Sequence, residues 1–446
     1  MRQRRDRRKT TNSLIKNLNL LEKLLSISII ILLFVFIFSS IKVKKSTNHS
    51  NNELESIAEN NNTESDEQIA QNIEDTNTLE TEKNTSSNEV TVPQSKDKTI
   101  NMAFTGDIMC HNTIYNDAYN STLDDYDFSY IFDNIKYYLQ TPDITIGNLE
   151  TTFAGKDKKY SSYPQFNTPE SLAYTLKKLG FDVVSTANNH CYDTGYAGIE
   201  STIKYLDDAD ISHTGTYTSE EEQNKILIKN VKGLKIAFLS FTYGTNGIKV
   251  PEDKTYSVNL IDESLILKQL GIAKEQNPDL IVTCMHWGVE YQTTPNSEQK
   301  KLADFLFENG TDIIIGNHPH VIQPMEKRQI TLSDGTTKDG FVVYSLGNFL
   351  ADQNKQYTRD SAILNLSVTK KEDGEIIINS ATYTPIYTYK DTSQKTQKFK
   401  IIDLKNVVAS YDAGYTDGIT SSMYNTFSTE LSNIKKLLGD EIKAGI

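Results

Sequence analysis

The sequence predicts an α/β fold with two β-sheets, because strand-like and helix-like segments alternate and a β-rich stretch follows them. The strand-like segments are short apolar runs rich in β-branched residues: Ile100–Phe104, Ile144–Ile146, Val183–Ser185, Leu280–Thr283 and Ile313–Ile315. The helix-like segments have apolar residues at helical spacing: Pro169–Leu179, Gly198–Ala209, Leu265–Gln276 and Ser297–Glu308. Such alternation is typical of parallel strands joined by helical crossovers, and it gives the sheet a crevice at the carboxyl ends of its strands.

Two further β-rich regions complete the predicted architecture. Lys225–Val231 and Lys235–Thr242 flank a Lys-Gly turn and predict a β-hairpin. The β pattern returns in the last third of the chain, over Gly340–Leu346, Ser361–Thr369 and Glu375–Tyr383. We therefore expect two sheets packed face to face, with helices outside.

The amino-terminal region predicts a membrane anchor. Residues 24–41 form an apolar run interrupted only by serines, about the length of a transmembrane helix. Basic residues cluster in residues 1–23, which places that segment in the cytoplasm and everything after residue 45 outside the cell. A cleaved signal peptide is the alternative, but its apolar core is usually shorter and ends in a small-residue site. Since Phe38-Ser-Ser-Ile41 lacks alanine, we favour an uncleaved single-pass anchor in the cell membrane.

Residues 42–98 predict a disordered acidic linker. From Ser46 to Lys98 there are twelve acidic residues against three basic ones, with almost no aromatic side chains. Such a segment cannot bury enough apolar surface to offset the entropy of ordering it. The net charge of −13, partly due to this linker, argues against a nucleic-acid partner.

The rest of the chain is long enough for one large domain and an extension. We expect the domain to span residues 99–395 and a partly helical extension to span residues 396–446. An amphipathic pattern predicts one helix of the extension near Tyr424–Leu438.

Five short polar motifs follow or lie near predicted strands. They hold five of the seven histidines: GDIMCH at 106–111, GNLE at 147–150, ANNHCYD at 187–193, HWGVE at 286–290 and GNHPH at 316–320. Polar residues that leave several strands at their carboxyl ends converge on one crevice. Imidazole, carboxylate and amide groups arriving together indicate a metal site.

Most of these motifs also have a purely structural interpretation. Asp107 fits an ordinary Gly-Asp turn, Asn188-Asn189 could cap a helix, and a lone His286 fits a hydrogen-bonded core residue. Glu290 is within reach of a substrate or of the second nitrogen of a metal-bound imidazole. Ser345-Leu-Gly-Asn348 either lines the same mouth or forms a plain turn.

The GNHPH motif is the strongest single signal. Proline disfavours helix for the residue before it, so His318 and His320 are predicted in an extended backbone. Side chains at alternate positions then point to the same side, which suits two imidazoles on neighbouring metals.

Three cysteines lie within two residues of motif histidines: Cys110, Cys191 and Cys284. Their odd number and wide spacing do not indicate a disulfide framework. We interpret them as small buried apolar residues, and the alternative is that one of them is a thiolate ligand.

Together the motifs resemble the bacterial CapA family of poly-gamma-glutamate capsule synthesis, which is related to the calcineurin-like metallophosphoesterases. The resemblance covers about residues 99–388 and rests on GDIM, GNLE, ANNH with Asp193, HWGVEY, GNHPH and YSLGNF, in that order. It implies a four-layer αββα sandwich of the metallophosphoesterase type.

The resemblance also implies a ligand set. Metallophosphoesterase ligands come from Asp-x-His, Gly-Asp-x-x-Asp, Gly-Asn-His, lone-His and Gly-His-x-His motifs. Here Met109 replaces the histidine of the first motif, and His111 could substitute for it. Glu150, or the neighbouring Asn148, takes the place of the bridging carboxylate. The implied ligands of one or two divalent ions, Mn, Fe or Zn, are Asp107, His111, Glu150, Asn189, His286, His318 and His320.

Two functions follow from the resemblance. In the first, His190 acts as general acid, with Asp193 and Glu290 as further catalytic residues, in metal-assisted hydrolysis or transfer on an anionic polymer such as poly-gamma-glutamate. In the second, the protein is a non-catalytic assembly factor that binds the polymer and partners with membrane-embedded synthase subunits. The loop lysines 156, 158 and 159 could contact a polyanion, although such a cluster is usually a solvated loop.

Overall fold

The computed structural model describes residues 96–331 and 335–438 and a short strand at 443–444. The predicted basic segment, the anchor at 24–41 and nearly all of the acidic linker lie outside the described residues. Among the helices that are described, none is long and apolar enough to cross a membrane.

Strands and helices alternate as the sequence predicts. The strands are β1 Lys98–Ile108, β2 Tyr119–Asn120, β3 Asp125–Tyr126, β4 Ile144–Leu149, β5 Val183–Ser185, β6 Ser212–Thr214, β7 Leu227–Val231, β8 Leu234–Thr242, β9 Leu280–His286, β10 Ile313–Asn317, β11 Ile322–Thr331, β12 Thr337–Leu346, β13 Asn348–Leu350, β14 Asp360–Lys370, β15 Ile376–Lys390, β16 Phe399–Asp403 and β17 Lys443–Ala444. The helices are α1 Asn112–Ala118, α2 Lys136–Gln140, α3 Ser171–Lys178, α4 Tyr196–Asp208, α5 Glu220–Gln223, α6 Glu263–Glu275, α7 Ser297–Glu308, α8 Leu404–Asp412 and α9 Ser421–Leu438. Short 3-10 turns lie at Ser129–Phe132, Lys156–Lys158 and Glu252–Ser257.

The strands form two mixed sheets. The larger has the order β16-β15-β14-β1-β4-β5-β6, with β13 beside β1 and β17 beside β15. The smaller has the order β11-β12-β10-β9-β8-β7. In the larger sheet β1, β4, β5 and β6 are parallel, and in the smaller β8, β9, β10 and β12 are parallel. Each sheet therefore has a block of strands whose carboxyl ends meet at one edge.

Three apolar clusters define the layers. The largest lies between the sheets and includes Phe104 of β1 and Ile315 of β10. Ala103, adjacent to Phe104, faces the opposite way and packs with α3 on the outer face of the larger sheet. Ile314 likewise faces outwards and packs with α6 and α7 on the smaller sheet. The layers are thus helix, sheet, sheet, helix, and the predicted α/β arrangement of two sheets with helices outside is confirmed.

The carboxyl-terminal region contributes to the core between the sheets. Strand β16 pairs antiparallel with β15 at the edge of the larger sheet. On α9, Phe427, Leu431, Ile434 and Leu438 are buried and belong to the inter-sheet cluster. Their spacing of four, three and four residues puts them on one face of the helix. The amphipathic helix predicted near Tyr424–Leu438 is present, and it closes one side of the core.

Candidate metal centre

The site lies where the parallel strands of both sheets end. Asp107 is the penultimate residue of β1, Glu150 directly follows β4, and Asn189 and His190 follow β5. From the smaller sheet, His286 is the last residue of β9, and His318 and His320 follow β10. These side chains belong to residues that are at most 5% exposed. The fold thus brings six of the seven predicted metal ligands into one buried cluster.

Asp107 is held rigidly by its neighbours. Its backbone N–H donates to Gly347 O at 2.9 Å, and Asn148 Nδ2 donates to its Oδ1 at 2.8 Å. A Cβ atom on Gly106 would lie only 1.9 Å from Gly347 O, so the close approach of these two chain segments requires glycine at position 106. The glycine before Asp107 therefore has a packing role.

Glu150 is the carboxylate shared by two candidate ligand groups. Asp107, Glu150 and His320 form one group, and Glu150, His286 and His318 form the other, with ligand atoms within 4.8 Å of one another in each. Both Glu150 oxygens, and Nδ1 of His318, are buried without a hydrogen-bond partner in the described part of the chain. A buried carboxylate with no donor is expensive, and a bound cation would satisfy it. The donor set therefore fits a divalent metal, with Glu150 rather than Asn148 in the bridging place.

Asn189 completes the second group. Its Oδ1 lies 2.8 Å from His286 Nε2, and its amide Nδ2 donates to Asn246 Oδ1 at 3.1 Å. The amide orientation is thus fixed by Asn246, which leaves the Asn189 oxygen facing the imidazole. An amide oxygen and two imidazoles around a shared carboxylate match the ligand preferences of Mn, Fe and Zn.

The backbone at the GNHPH motif differs from the prediction. His318 has φ +97° and His320 has φ +58°, so neither is in the extended conformation expected from alternate positions beside Pro319. Positive φ is uncommon for residues other than glycine and is found mostly at sites that the surrounding fold constrains. The His318 N–H donates to Asp107 Oδ2 at 3.3 Å, which ties this loop to the facing sheet. The two imidazoles nevertheless fall into the two neighbouring ligand groups.

The charges of the cluster are strongly coupled. Burial lowers the pKa of His286 to about 3 and that of His318 to about 2, and nearby imidazoles add to the effect, so both are neutral, as ligation requires. Burial, then the charge of Asp107, raises the pKa of Glu150 well above its usual range. Burial also opposes protonation of His320, but the charges of Glu150 and Asp107 prevail and raise its pKa to about 9. Glu150 and His320 thus compete for one proton, which a divalent cation would replace.

His190 is positioned beside the ligand groups by Asp193. His190 Nδ1 lies 2.7 Å from Asp193 Oδ2, and the Phe166 N–H donates to the same oxygen at 2.6 Å. The edge of the Phe166 ring also packs against the His190 ring, at 4.8 Å between centroids. The imidazole is therefore fixed in orientation by a buried carboxylate and an aromatic wall.

Two of the predicted site residues stand apart from the ligand groups. His111 Nδ1 accepts a hydrogen bond from the Asp352 N–H at 3.2 Å, and its ring packs on Phe166. Burial lowers the pKa of His111 to about 4. Glu290 is exposed and belongs to neither group. Asn348, of the SLGN motif, donates to Thr358 O at 2.8 Å and so fixes a neighbouring loop.

The cysteines are buried thiols outside both ligand groups. Cys110, Cys191 and Cys284 are all free and buried. Burial raises the pKa of Cys191 and of Cys284 to about 12 and that of Cys110 still further. A protonated thiol is a poor metal ligand, which favours their interpretation as small apolar residues.

Comparison with known proteins agrees with these motifs. Residues 101–353 match the family described as bacterial capsule synthesis protein PGA_cap. The chain belongs to this family. It is 31% identical over 296 residues to the capsule biosynthesis protein CapA of Bacillus anthracis, covering 65% of this chain and 68% of that protein. It is 30% identical over 298 residues to the PGA biosynthesis protein CapA of Bacillus subtilis (strain 168), covering 65% of this chain and 74% of the relative.

A solved structure with partial likeness is the NAD nucleotidase NadN of Haemophilus influenzae. The two chains are 14% identical, with a TM-score of 0.42, over 78% of this chain and 69% of NadN.

Two site residues of this PGA_cap family member, Asn246 and Tyr243, were not predicted from its sequence, and Asn148 has a role other than the bridging one considered for it. Asn148 orients Asp107, and Asn246 contacts both Asn189 and His190. Tyr243 is 48% exposed, and its ring lies 4.5 Å from the His318 ring at the mouth of the site. Asn246 and Tyr243 come from the loop after β8, whose Tyr-Gly-Thr-Asn-Gly sequence is typical of a plain turn. The one sequence signal for a site role was that this loop directly follows a parallel strand, where ligand-binding residues are common.

Proposed function

We propose that this protein is a membrane-anchored, extracytoplasmic capsule-biosynthesis protein that hydrolyses or transfers a bond in a poly-gamma-glutamate-type polymer, using one or two divalent cations. The observation that carries the proposal is Glu150. It is fully buried, belongs to two ligand groups and has no hydrogen-bond donor in the described chain. A buried carboxylate without a hydrogen-bond donor is costly, and a divalent cation between the two ligand groups would offset that cost.

The two ligand groups define two neighbouring cation positions. Asp107, Glu150 and His320 would hold one cation. Glu150, His286 and His318, with the Asn189 oxygen, would hold the other. A divalent cation supplies a water of lowered pKa and polarises the electrophile. Asn148 and Asn246 keep the Asp107 and Asn189 oxygens aimed at these positions.

His190 is the group that would donate a proton to the leaving group. Its Nδ1 faces the Asp193 carboxylate, so Nε2 is the nitrogen left to transfer a proton. Asp193 holds the imidazole by a short hydrogen bond and so fixes the orientation that a general acid requires. Tyr243, exposed beside His318, provides a surface on which a substrate segment can rest.

The cellular setting of the proposal comes from the sequence and the family. The apolar run at 24–41 would anchor the chain as a single-pass protein of the cell membrane, with its main domain outside. The polymer would be an anionic polyglutamate, since the Bacillus subtilis relative is a PGA biosynthesis protein. Membrane-embedded synthase subunits would be its partners.

The test separates chemistry from binding. In cells that depend on this protein for capsule polymer, His190→Gln should abolish polymer formation while leaving protein level and bound metal unchanged, because His190 belongs to neither ligand group. His213→Gln is the matched control, since His213 is a partly buried histidine on β6, outside the site. If His190→Gln retains normal polymer, catalysis is refuted and a polymer-binding assembly factor becomes the better explanation.

A further inference from the structure

A polar cavity is lined by residues that belong to neither ligand group. Its volume is about 350 Å³. It is bounded by the loop before β14, by Tyr387 of β15 and by Glu430 and Asn433 of the carboxyl-terminal helix α9. The same helix closes the core between the sheets, so this cavity exists only because α9 is docked.

Asp360 lines the cavity with an unsatisfied carboxylate. The residue is fully buried, and neither carboxylate oxygen has a hydrogen-bond partner among the residues that the structure describes. Burial, then the charge of neighbouring Glu430, raises the pKa of Asp360 to about 8. Two carboxyl groups side by side in a cavity retain a proton that a bound ammonium group would displace.

The basic residues of the cavity do not neutralise Asp360. Arg359 is turned towards Asp352 and Asn354, with Nη2 2.9 Å from the oxygens of both side chains. Lys355 is exposed, and its Nζ lies 4.1 Å from the centre of the Tyr291 ring, with no ion pair to any described acidic residue. The cavity therefore has an acidic wall at Asp360 and Glu430, and Lys355 in its lining has an ammonium group that could turn from Tyr291 towards a bound anion.

We infer that this cavity is a binding site for an amino-acid zwitterion, whose ammonium group is held by Asp360 and Glu430 and whose carboxylate is held by Lys355. Tyr387 offers an aromatic face in the same wall, and such faces favour ammonium groups. A bare divalent ion is the poorer fit, because the cavity has far more room than an ion needs and offers only two carboxylates. The ligand is either a free amino acid or the amino-terminal residue of a γ-linked glutamyl chain, which keeps both its ammonium group and its α-carboxylate.

The experiment is calorimetric titration of the full-length protein in detergent with four probes. L-Alanine and L-glutamate carry the zwitterion, γ-glutamylglutamate presents it at a chain end, and N-acetyl-L-glutamate lacks the ammonium group. The choice of glutamyl probes rests on the proposed function, whereas the L-alanine titration does not. We expect the zwitterions to bind and the acetylated probe to fail.

The variants test the residues. Asp360→Asn and Glu430→Gln should each lower the affinity at least about tenfold, because each removes a charge-assisted hydrogen bond. Glu263→Gln, an exposed glutamate on α6, is the control and should not change it. Should Asp360→Asn fold poorly, Glu430→Gln still decides the question.

Each result bears on the inference. Binding of glutamate but not of the dipeptide supports a free amino acid as ligand, and binding of both supports a chain end. Binding of L-alanine alone supports the site and separates it from the polymer. Absence of binding by all four probes, equal binding of N-acetyl-L-glutamate, or unchanged affinity in both variants would overturn the inference.

Discussion

Replacing Glu150 by glutamine should change the stability of the protein in opposite directions without and with metal. In the metal-free protein the substitution removes a buried carboxylate that has no hydrogen donor and faces Asp107. Two unit charges at most 4.8 Å apart repel by at least about 3 kcal/mol at an effective dielectric constant near 20. The positive charge of His320 offsets part of this repulsion, so the expected gain for Glu150→Gln is about 1–3 kcal/mol.

The assay is thermal unfolding of wild type and variant in chelator and then in excess Mn²⁺. For a domain of this size, the gain corresponds to a Tm higher by about 1–4 °C in chelator. A cation that binds only the folded state adds about 4.1 kcal/mol at a concentration about one thousand times its Kd. Because Glu150 contributes to both ligand groups, wild type should gain most of this and the variant little. Their order of stability should therefore reverse.

Glu290→Gln is the matched control for that experiment. Glu290 is an exposed glutamate that follows β9 and belongs to neither ligand group. Its substitution should leave both melting temperatures within about 1 °C of wild type, as expected for a surface residue. If Glu150→Gln instead lowered Tm equally in chelator and in Mn²⁺, Glu150 would be a structural residue and its missing donors would not indicate a bound cation.

Three further predictions concern other parts of the molecule. Asp193→Asn removes the carboxylate 2.7 Å from His190 and should lower polymer formation at least about tenfold with bound metal unchanged, and a loss of metal would contradict this role. Asp360→Asn removes a carboxyl whose folded pKa is raised from 3.8 to about 8, so the folded state holds its proton more tightly. Urea titrations should therefore show that the unfolding free energy of wild type, relative to that of the variant, falls as pH rises from 4 to 8. The fall should be at most about 1.4 kcal/mol per pH unit. A difference that does not depend on pH would contradict the raised pKa of Asp360. Ile434→Ala, at a fully buried position of α9, should lower the unfolding free energy by about 2–4 kcal/mol, whereas exposed Ser432→Ala should change it by less than about 0.5 kcal/mol. Equal effects of the two substitutions would show that α9 is not docked on the core.

The main elements of the fold were predictable from apolar periodicity. The runs at Val183–Ser185 and Ser297–Glu308 match a strand and a helix of the structure, because their apolar patterns and flanking polar residues are local signals. Strand β11 and its antiparallel pairing with β12 were missed, since Ile322–Thr331 contains a proline and three consecutive charged residues, which are not a strand pattern. The contribution of α9 to the inter-sheet core was also not predictable, because amphipathicity reveals an apolar face but not what it packs against.

The site was predictable in composition and less so in geometry. Because the carboxyl ends of parallel strands meet, the positions of the motifs after strands predicted that Asp107 and Glu150 would lie beside the three histidines of the smaller sheet, as they do. The positive φ of His318 and His320 was not predictable. Pro319 favours an extended conformation for the residue before it, but this local preference gives way to the hydrogen bond that the His318 N–H donates to Asp107 across the two sheets.

Metal content decides whether the converging motifs form a metal centre. The full-length chain, purified without chelator, is analysed by mass spectrometry for bound metals beside its His318→Gln and His320→Gln variants. We expect about one to two equivalents of Mn, Fe or Zn in wild type and a clear loss in each variant, because the two histidines belong to different ligand groups. A well-folded wild-type protein that contains no metal and takes up none when Mn²⁺ or Zn²⁺ is added would show that the cluster is not a metal centre.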